Sequence, residues 1–286
     1  MNNVWLNGQL VAKHEMGISP YDHGILYGDG VFEGIRFYNN KPFEIGAHLE
    51  RLARSAKAIR LNLPYSASEL AFAVKKLIDN SAFSQGYLRL VVTRGVGPLG
   101  LNPFSCKIAN CFILIDQLNI VEEQSKQRGV RAIISSTRRM PSDCLDARIK
   151  SLNYLNLILA KIEAIDSGAD EAILLNTNGK VAEGSADNIF ITVAGKLLTP
   201  PITDGALDGV TRQVIIQLAR NNRLEVFESS LTPYDLYNAE ECFLCGTGAE
   251  LLPVMSIDGR VLDHCPGPIY QQINALFFEF VNAQTA

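Results

Sequence analysis

The chain has 286 residues, of which 47% are hydrophobic and 20% are charged, and its net charge is −4. This composition is that of an ordinary globular protein, and the acidic balance argues against a nucleic-acid binder. The sequence has no apolar run that could cross a membrane and no signal-peptide pattern, so we expect a cytoplasmic protein without nucleic-acid or membrane partners.

The first part of the chain alternates strands and helices. Apolar periodicity predicts helices at 47–59 and 67–80, the second capped by Ser66 or Ser68. Strands are predicted at 4–10, 31–38, 87–94 and 109–115. An unbroken polar run at 122–127 then indicates a linker. We therefore predict a small α+β domain at 1–117, a linker at 118–129 and a large cofactor-binding domain at 130–286.

The second part mixes strands and helices without strict alternation. A helix is predicted to begin at Lys150 and to close at Gly168, and further helices are predicted at 209–222 and 269–281. Strands are predicted at 130–135, 171–176, 188–193, 241–246 and 253–257. This order favours two α+β domains over a Rossmann sheet.

Lys150 opens a run with helical apolar spacing, with Tyr154 one turn on, and Glu183 stands in a strand-like segment among apolar neighbours. Desolvation at an apolar helix would lower the pKa of the Lys150 amine and make it nucleophilic. A glutamate such as Glu183 can keep a ring nitrogen protonated. A nucleophilic lysine and an acidic partner for a ring nitrogen are together what a pyridoxal phosphate site requires. From the residues alone, an ordinary lysine at a helix start and an ordinary strand glutamate remain the alternatives.

The sequence lacks the motifs of metal-binding, nucleotide-binding and hydrolase sites. Cys242 and Cys245 are three apart in a predicted strand, hence on opposite faces, and the four histidines are scattered, so no metal site is expected. The run 28–34 looks like a dinucleotide fingerprint, but Glu33 takes the place of the third glycine and a strand follows. The sequence contains neither a Walker lysine nor a G-x-S-x-G motif.

Six segments, in order along the chain, resemble the fold-type-IV pyridoxal-phosphate enzymes. They are GDGVFEGIR at 28–36, HLERL at 48–52, RIKSLNYL at 148–155, EGSADNIF at 183–190, GVTR at 209–212 and GTGAEL at 246–251. This class contains branched-chain aminotransferases, D-amino-acid aminotransferases and aminodeoxychorismate lyases. The resemblance spans nearly the whole chain and implies a two-domain α+β fold with pyridoxal 5'-phosphate as cofactor.

The resemblance implies that Lys150 is the catalytic lysine, which forms the internal aldimine and shuttles a proton. Glu183 would pair with the pyridine nitrogen and Tyr154 with the phenolic oxygen. Backbone amides at a helix start, with a cation, suit a phosphate. The other implied cofactor-binding residues are Arg51, Leu207, Val210, Thr211 and Thr247.

The resemblance also implies the substrate-binding residues. Tyr87 and Arg89 are two residues apart on a predicted strand, so both lie on one face. The pair resembles that of branched-chain aminotransferases, where it helps to accept substrate carboxylates. The tyrosine matching Tyr27 lines the neighbouring subunit's pocket, which implies at least a homodimer. The remaining implied residues are Phe32, Gly34, Arg36, Thr247, Gly248 and Ala249.

Subfamily motifs favour transamination between a branched-chain L-amino acid and 2-oxoglutarate. The run 94–103 resembles the branched-chain subfamily and lacks the Arg-x-His carboxylate trap of D-amino-acid aminotransferases. The stretch 143–148 is as similar to the D-amino-acid and lyase branches, and Arg138 and Arg139 lie where relatives vary widely. A D-amino-acid aminotransferase, an aminodeoxychorismate lyase and, more remotely, a relative that binds the cofactor without turnover remain as alternatives.

Overall fold

The structure is a computed structural model that describes residues 3–117 and 127–286. Within these residues the chain forms two compact units. The first comprises 3–117, 149–153 and 281–286, and the second comprises 127–148 and 154–280. Most of the predicted linker at 118–129 lies outside the described residues, and the predicted domain boundaries stay a prediction.

The described part of the first unit contains one antiparallel sheet. Its strands are β1 (Asn3–Leu6), β2 (Gln9–Ala12), β3 (Gly30–Tyr38), β4 (Lys41–Pro42), β5 (Gly86–Thr93) and β6 (Asn110–Asp116). Their order across the sheet is β2-β1-β6-β5-β3-β4. The predicted site residues of this unit come mainly from two neighbouring strands, β3 and β5.

The predicted strand at 4–10 is wrong, because the structure has a hairpin there. Asn7 and Gly8 adopt positive φ values of 44° and 96°, and this turn separates β1 from β2. An Asn-Gly pair suits such a tight turn, because both residue types tolerate the left-handed region. The turn chemistry therefore overrides the apolar run.

Helices cover one face of this sheet. They are α2 (Ile45–Ala58) and α3 (Ala67–Asp79), and the short helix α1 (His23–Tyr27) precedes β3. Ser66 caps α3 by accepting from the Glu69 amide, which confirms one of the two predicted caps. Val31, Ile35 and Phe37 of β3 belong to the core cluster that contains residues of α2 and α3. Because side chains alternate along a strand, the next positions of β3 face the other way.

The second unit contains a mixed sheet. Its strands are β7 (Val130–Ile134), β8 (Glu171–Leu175), β9 (Val181–Gly184), β10 (Asn188–Val193), β11 (Lys196–Thr199), β12 (Val226–Glu228), β13 (Glu241–Gly246), β14 (Glu250–Ile257) and β15 (Arg260–Val261). Eight of the described strands run in the order β12-β11-β10-β13-β14-β7-β8-β9, and β15 pairs with β14. The strand predicted around Glu183 is confirmed as β9.

The remaining helices are α4 (Leu155–Asp166), α5 (Val210–Asn221), α6 (Pro233–Tyr237) and α7 (Pro268–Thr285). The predicted helix at 209–222 is confirmed as α5, and the one at 269–281 as α7. Among the described residues, no helix is both long and apolar enough to span a membrane.

The prediction that Lys150 begins a helix is wrong, because α4 starts five positions later, at Leu155. Residues 149–153 form no helix and run beside β3, joined to it by an isolated antiparallel bridge between Val31 and Ser151. The Phe32 amide donates to the Lys150 carbonyl at 3.0 Å, and the Leu152 amide donates to the Gly30 carbonyl at 3.0 Å. These long-range hydrogen bonds satisfy the backbone that a helix would otherwise use. Tyr154 is the N-cap residue of α4, so it shares no helix face with Lys150.

Candidate active site

The segment that carries Lys150 is anchored within the first unit. The Lys150 amide donates to Ser55 Oγ at 3.1 Å, and its carbonyl accepts from Phe32. Both backbone groups of Lys150 are therefore tied to neighbouring elements, α2 and β3. The backbone position from which the Lys150 side chain extends is therefore well defined.

Two cationic side chains contact the Phe32 ring. Lys150 Nζ lies 4.6 Å from the ring centroid, and the Arg89 guanidinium carbon lies 3.5 Å from it. Phe32 is buried, so both cations rest on an apolar surface. This arrangement concentrates positive charge beside an apolar ring, which suits a ligand that has both a carboxylate and an aliphatic group.

Gly34 lets the Tyr87 side chain cross the sheet surface. Gly34 pairs with Arg89 and Arg36 pairs with Tyr87 in the register of β3 and β5. A Cβ atom on Gly34 would lie only 2.0 Å from the Tyr87 hydroxyl oxygen. Only glycine leaves that space, so the position of the Tyr87 hydroxyl depends on it.

Tyr87 and Arg89 are coupled. Burial raises the pKa of the Tyr87 phenol, and the charge of Arg89 and a hydrogen bond with it oppose that shift. Because the net pKa is raised, the phenol keeps its proton at neutral pH. The pair therefore offers a hydroxyl and a guanidinium to a carboxylate.

Arg51 makes an ion pair on the helix side of the sheet. Its Nε and Nη2 atoms each donate to the Glu33 carboxylate at 2.8 Å, and His48 Nδ1 lies 2.7 Å from Glu33 Oε2. All three side chains are buried. No site role was predicted for Glu33 or His48. The signal available was that both lie in segments that carry the family resemblance, 28–36 and 48–52.

The pKa values of this trio follow from burial and charge. Burial alone would raise the pKa of Glu33, but the Arg51 charge and the hydrogen bonds from Arg51 and His48 outweigh it and lower the pKa from 4.5 to about 2. Burial lowers the pKa of His48, against the opposing effect of Glu33. At neutral pH, Glu33 and Arg51 are therefore charged and His48 is neutral, with its Nδ1–H as donor.

Tyr27 ends α1 and is held by a loop of the same unit. The Gly100 amide donates to the Tyr27 hydroxyl oxygen at 2.9 Å, and the Tyr27 ring meets His23 edge-on with centroids 4.9 Å apart. Leu99 and Leu101, on either side of Gly100, are exposed. The structure therefore surrounds Tyr27 with apolar side chains that face solvent.

In the second unit, Glu183 is buried and holds two donors. Arg139 Nε donates to Glu183 Oε1 at 2.7 Å, and the Leu207 amide donates to Oε2 at 2.9 Å. A carboxylate has about four lone-pair positions, so Glu183 can still accept a further N–H. Arg139 was not predicted as a site residue. The signal available was a basic pair, Arg138 and Arg139, ahead of the catalytic segment.

A short series of contacts connects Glu183 to the start of α5. Asn188 Nδ2 donates to the carbonyl of Leu207 at 2.9 Å. A Cβ atom on Gly209, the N-cap residue of α5, would lie 2.0 Å from Asn188 Oδ1. Gly209 has no side chain, so α5 receives no hydrogen bond from an N-cap side chain at its first amides, Val210 and Thr211. Such a helix start is a ready anion site.

Residues 247–249 form the turn between β13 and β14 and adjoin the same region. Asn188 pairs with Cys245 in the sheet, and a Cβ on Gly246 would lie 2.2 Å from Asp187 Oδ1. Thr247, Gly248 and Ala249 therefore follow directly on a strand end that packs on the loop after Glu183.

The predicted residues thus gather in two clusters, one in each unit. We call them the lysine cluster and the glutamate cluster. The lysine cluster contains Phe32, Gly34, Arg36, Tyr87, Arg89 and Lys150. The glutamate cluster contains Glu183, Leu207, Val210, Thr211, Thr247, Gly248 and Ala249. In the first unit Arg51 is paired with Glu33, and Tyr27 ends α1. Tyr154 is the N-cap residue of α4. Among residues 3–117 and 127–286, no group of three or more His, Cys, Asp or Glu side chains is placed to hold a metal ion.

The family profile described as Amino-transferase class IV matches residues 30–257, which is most of the chain. This chain belongs to the class IV aminotransferases. The family membership confirms the resemblance drawn from the six motifs, and the predicted fold class is confirmed with it.

Individual members of the class IV aminotransferases are similar over almost their whole length. A branched-chain aminotransferase from Thermoproteus uzoniensis, solved with norvaline, is 40% identical with a TM-score of 0.92, and the match covers 98% of this chain and 94% of that one. A branched-chain amino acid aminotransferase from Thermobaculum terrenum in its PLP form is 33% identical with a TM-score of 0.88, over 98% and 94%. A D-alanine aminotransferase from Bacillus licheniformis is 34% identical, over 99% and 98%.

Proposed function

We propose that this class IV aminotransferase catalyses pyridoxal-phosphate-dependent transamination between a branched-chain L-amino acid and 2-oxoglutarate. The observation that carries the proposal is the lysine cluster, where Lys150 and Arg89 flank one apolar ring and Tyr87 stands beside Arg89. An amine, a carboxylate-binding pair and an apolar surface are the three features that such a substrate requires.

The residues present fit the cofactor. Glu183 is a buried carboxylate with remaining acceptor capacity, which matches a protonated pyridine nitrogen. The start of α5 has no side-chain cap, which matches a phosphate. Lys150 supplies the amine that bonds to the aldehyde. The further cofactor contacts proposed for Arg51, Tyr154, Leu207 and Thr247 rest on the resemblance.

The chain's own residues bind the substrate and move the proton. Tyr87 and Arg89 bind and orient the substrate carboxylate through charge-assisted hydrogen bonds. Lys150 Nζ removes the proton from the Cα atom of the donor amino acid. In the second half-reaction it returns a proton to the Cα atom of the new amino acid. Glu183, held in place by Arg139 and the Leu207 amide, would pair with the ring nitrogen of the cofactor. Bound pyridoxal 5'-phosphate supplies the electron sink for the charge that the lost proton leaves behind.

The lysine cluster supports an aliphatic amino acid as the substrate. Phe32 contributes an apolar ring beside Lys150, and Gly34 leaves the space next to it to the Tyr87 hydroxyl. Such a pocket accepts branched chains but discriminates poorly between side chains that differ by one methylene group, by about 1–3 kcal/mol. The similarity to a D-alanine aminotransferase favours a D-amino acid as the second candidate substrate. Against it stands the absence of an Arg-x-His motif at 94–103.

A panel of amino donors with 2-oxoglutarate tests the function. We expect the L forms of leucine, isoleucine and valine to be used at least tenfold better, in kcat/KM, than D-alanine or any other D-amino acid. Preferential use of D-alanine would overturn the proposal in favour of the second candidate. A yellow protein whose absorption does not change with any amino acid would instead indicate a relative that binds the cofactor without turnover.

We also propose that the protein is at least a homodimer in which Tyr27 lines the substrate pocket of the neighbouring subunit. Exposed apolar side chains near Tyr27 support it, namely Ile25 and Leu26 on α1 and Leu99 and Leu101 in the loop that holds its hydroxyl. Exposed apolar groups in this number are typical of a protein interface. The cytoplasmic location stays a prediction.

Subunit mixing tests the shared pocket. Lys150→Ala and Tyr27→Ala proteins should each be inactive, and a mixture should regain activity, because a hybrid dimer has one intact pocket. Full activity of wild-type protein that light scattering finds to be monomeric would contradict the homodimer.

A further inference from the structure

A large cavity lies in the first unit, at the carboxyl end of α2. Residues of the segments 53–63 and 103–109 line it, together with Arg94, and we call it the α2 cavity. Its volume is about 680 Å³, within the range of about 300–1,000 Å³ that is typical of small-molecule sites. None of its lining residues belongs to the lysine cluster or to the glutamate cluster. The cavity is therefore separate from the residues that we assign to transamination.

The charges that line the α2 cavity are all positive. They belong to Lys57, Arg60, Arg94 and Lys107, and no aspartate or glutamate is among the lining residues, which all lie in the described range 53–109. Lys57, Arg60 and Lys107 are exposed, and none of these three pairs with a carboxylate within the described part of the chain. Like charges that share one cavity repel each other, so a bound anion would relieve this repulsion.

Arg94 differs from the other three cations, because its donors are used within the protein. Its Nε and Nη2 atoms each donate to the Asp29 carboxylate at 2.9 Å. Its Nη1 atom donates to the Arg60 carbonyl at 2.7 Å, and Nη2 also donates to the Ile59 carbonyl at 2.7 Å. Arg94 thus satisfies the two carbonyls that follow α2 and fixes the backbone of Arg60. The remaining three cations are left to contact a ligand.

The α2 cavity also presents an aromatic ring. The Phe104 side chain is 56% exposed, and the guanidinium carbon of Arg60 lies 4.7 Å from its ring centroid. The neighbouring wall is apolar, since Ala56 and Leu61 also line the cavity and are buried. A flat ring of a ligand can stack on an exposed aromatic side chain or on a guanidinium plane. The cavity therefore suits an anion that carries a flat ring.

We propose that the α2 cavity binds a nucleoside polyphosphate. The base stacks against Phe104 and Arg60, and the phosphate groups contact Lys57, Arg60 and Lys107 through charge-assisted hydrogen bonds. Three cations without acidic partners match several phosphate groups better than a single one. This site goes beyond the proposed transamination and does not depend on which amino acid the enzyme uses.

Equilibrium dialysis of the holoenzyme with labelled ATP, without divalent cations, measures this site. We expect a Kd of about 100 μM or tighter. Unlabelled tripolyphosphate and adenosine then serve as competitors, since each has one half of the recognised chemistry. Tripolyphosphate should compete about tenfold more weakly than unlabelled ATP, because it lacks the stacking ring, and adenosine should compete more weakly still.

Substitutions in the α2 cavity locate the site. Arg60→Gln and Lys107→Gln should each weaken ATP binding at least about fivefold, because each removes a charged donor to phosphate. Phe104→Leu should weaken the binding of ATP but not that of tripolyphosphate. Lys76→Gln is the matched control, because it removes the same charge from an exposed position on α3, outside the cavity. Transamination without ATP should stay within about twofold of wild type in all four variants, which shows that they are folded.

Three results would overturn the proposal. No ATP binding to the wild-type holoenzyme, or equal binding by wild type and the cavity variants, would show that the α2 cavity is not a nucleotide site. An equal loss in Lys76→Gln would indicate attraction by surface charge in general. Tripolyphosphate that competes as well as ATP would refute the recognition of a base.

Discussion

Arg139 donates from Nε to Glu183 Oε1 at 2.7 Å, and both side chains are nearly excluded from solvent. This ion pair occupies one carboxylate oxygen, while the Leu207 amide occupies the other. The two donors fix the orientation of Glu183, so Arg139 acts as a positioning residue for the acid that we propose for the pyridine nitrogen. Two predictions follow from this geometry, one for each partner.

Glu183→Gln should preserve the fold and cofactor binding but lower kcat by roughly 10²-fold or more. An amide carries no charge to keep the ring nitrogen protonated, and each tenfold loss corresponds to about 1.4 kcal/mol of barrier. Steady-state kinetics on protein with wild-type circular dichroism and a wild-type cofactor content would measure it. Turnover near that of wild type would refute the assigned role.

Arg139→Gln should destabilise the protein by about 3 kcal/mol, because the Glu183 carboxylate would stay buried without its ion partner. It should also reduce kcat, but less than Glu183→Gln does. In a double-mutant cycle the second substitution should add little, since both act through one contact. Arg138→Gln is the matched control, because that exposed side chain donates only to the carbonyls of Ser135 and Ser136. Additive effects of Arg139 and Glu183 would contradict the coupling.

Lys150 should be the residue that bonds to the cofactor. Borohydride reduction of the holoenzyme followed by peptide mapping should find the pyridoxyl group on the peptide that contains Lys150, and Lys150→Ala should lower kcat by roughly 10²–10⁴-fold. Lys161 is an internal control, because its ammonium group is ion-paired with Glu171 at 2.8 Å. A label on Lys161 would end the assignment.

Gly34→Ala should lower kcat/KM by roughly 10²-fold while the protein stays folded. The new Cβ would lie 2.0 Å from the Tyr87 hydroxyl oxygen, so the phenol must move out of its place beside Arg89. A displacement of about 1 Å at a substrate-positioning group has an effect of this size. Gly46→Ala serves as control, because no atom lies within 4 Å of its added Cβ. Equal kinetics for the two variants would show that the position of Tyr87 is unimportant.

Glu33 should make the stability of the protein depend on pH in the acid range. Its pKa of about 2 in the folded state lies below the ordinary 4.5, so the ionised pair contributes about 3 kcal/mol that is fully present above pH 4.5 and lost as the pH falls through about 2. Neutral, buried His48 acts in the same direction below its ordinary pKa of 6.5, because only the unfolded state then readily takes up the proton.

Urea unfolding of wild-type and Glu33→Gln protein between pH 7 and pH 3 would measure this contribution. We expect the difference in unfolding free energy to be largest near neutrality and to shrink below pH 4.5. Glu279→Gln, at an exposed position, should change the unfolding free energy by less than about 0.5 kcal/mol. A difference for Glu33→Gln that does not vary with pH would show that the ion pair is not its source.

The local sequence determined much of this protein. The alternation at Tyr87 and Arg89 predicted a shared strand face, and the register of β3 and β5 has it. The apolar neighbours of Glu183 predicted its buried strand, and the glycine at 209 marked the start of α5. These features depend on the spacing of neighbouring residues, which a single sequence displays directly.

Tertiary structure alone decided the rest. Lys150 has helical apolar spacing around it, yet its segment forms no helix, because hydrogen bonds to a strand more than a hundred residues earlier satisfy part of its backbone. The pairing of Arg51 with Glu33 and of Arg139 with Glu183 likewise joins residues that are far apart along the chain. The stabilisation and the pKa of a buried charged group depend on which opposite charge lies within a few ångströms of it. No local periodicity in the sequence specifies that neighbour.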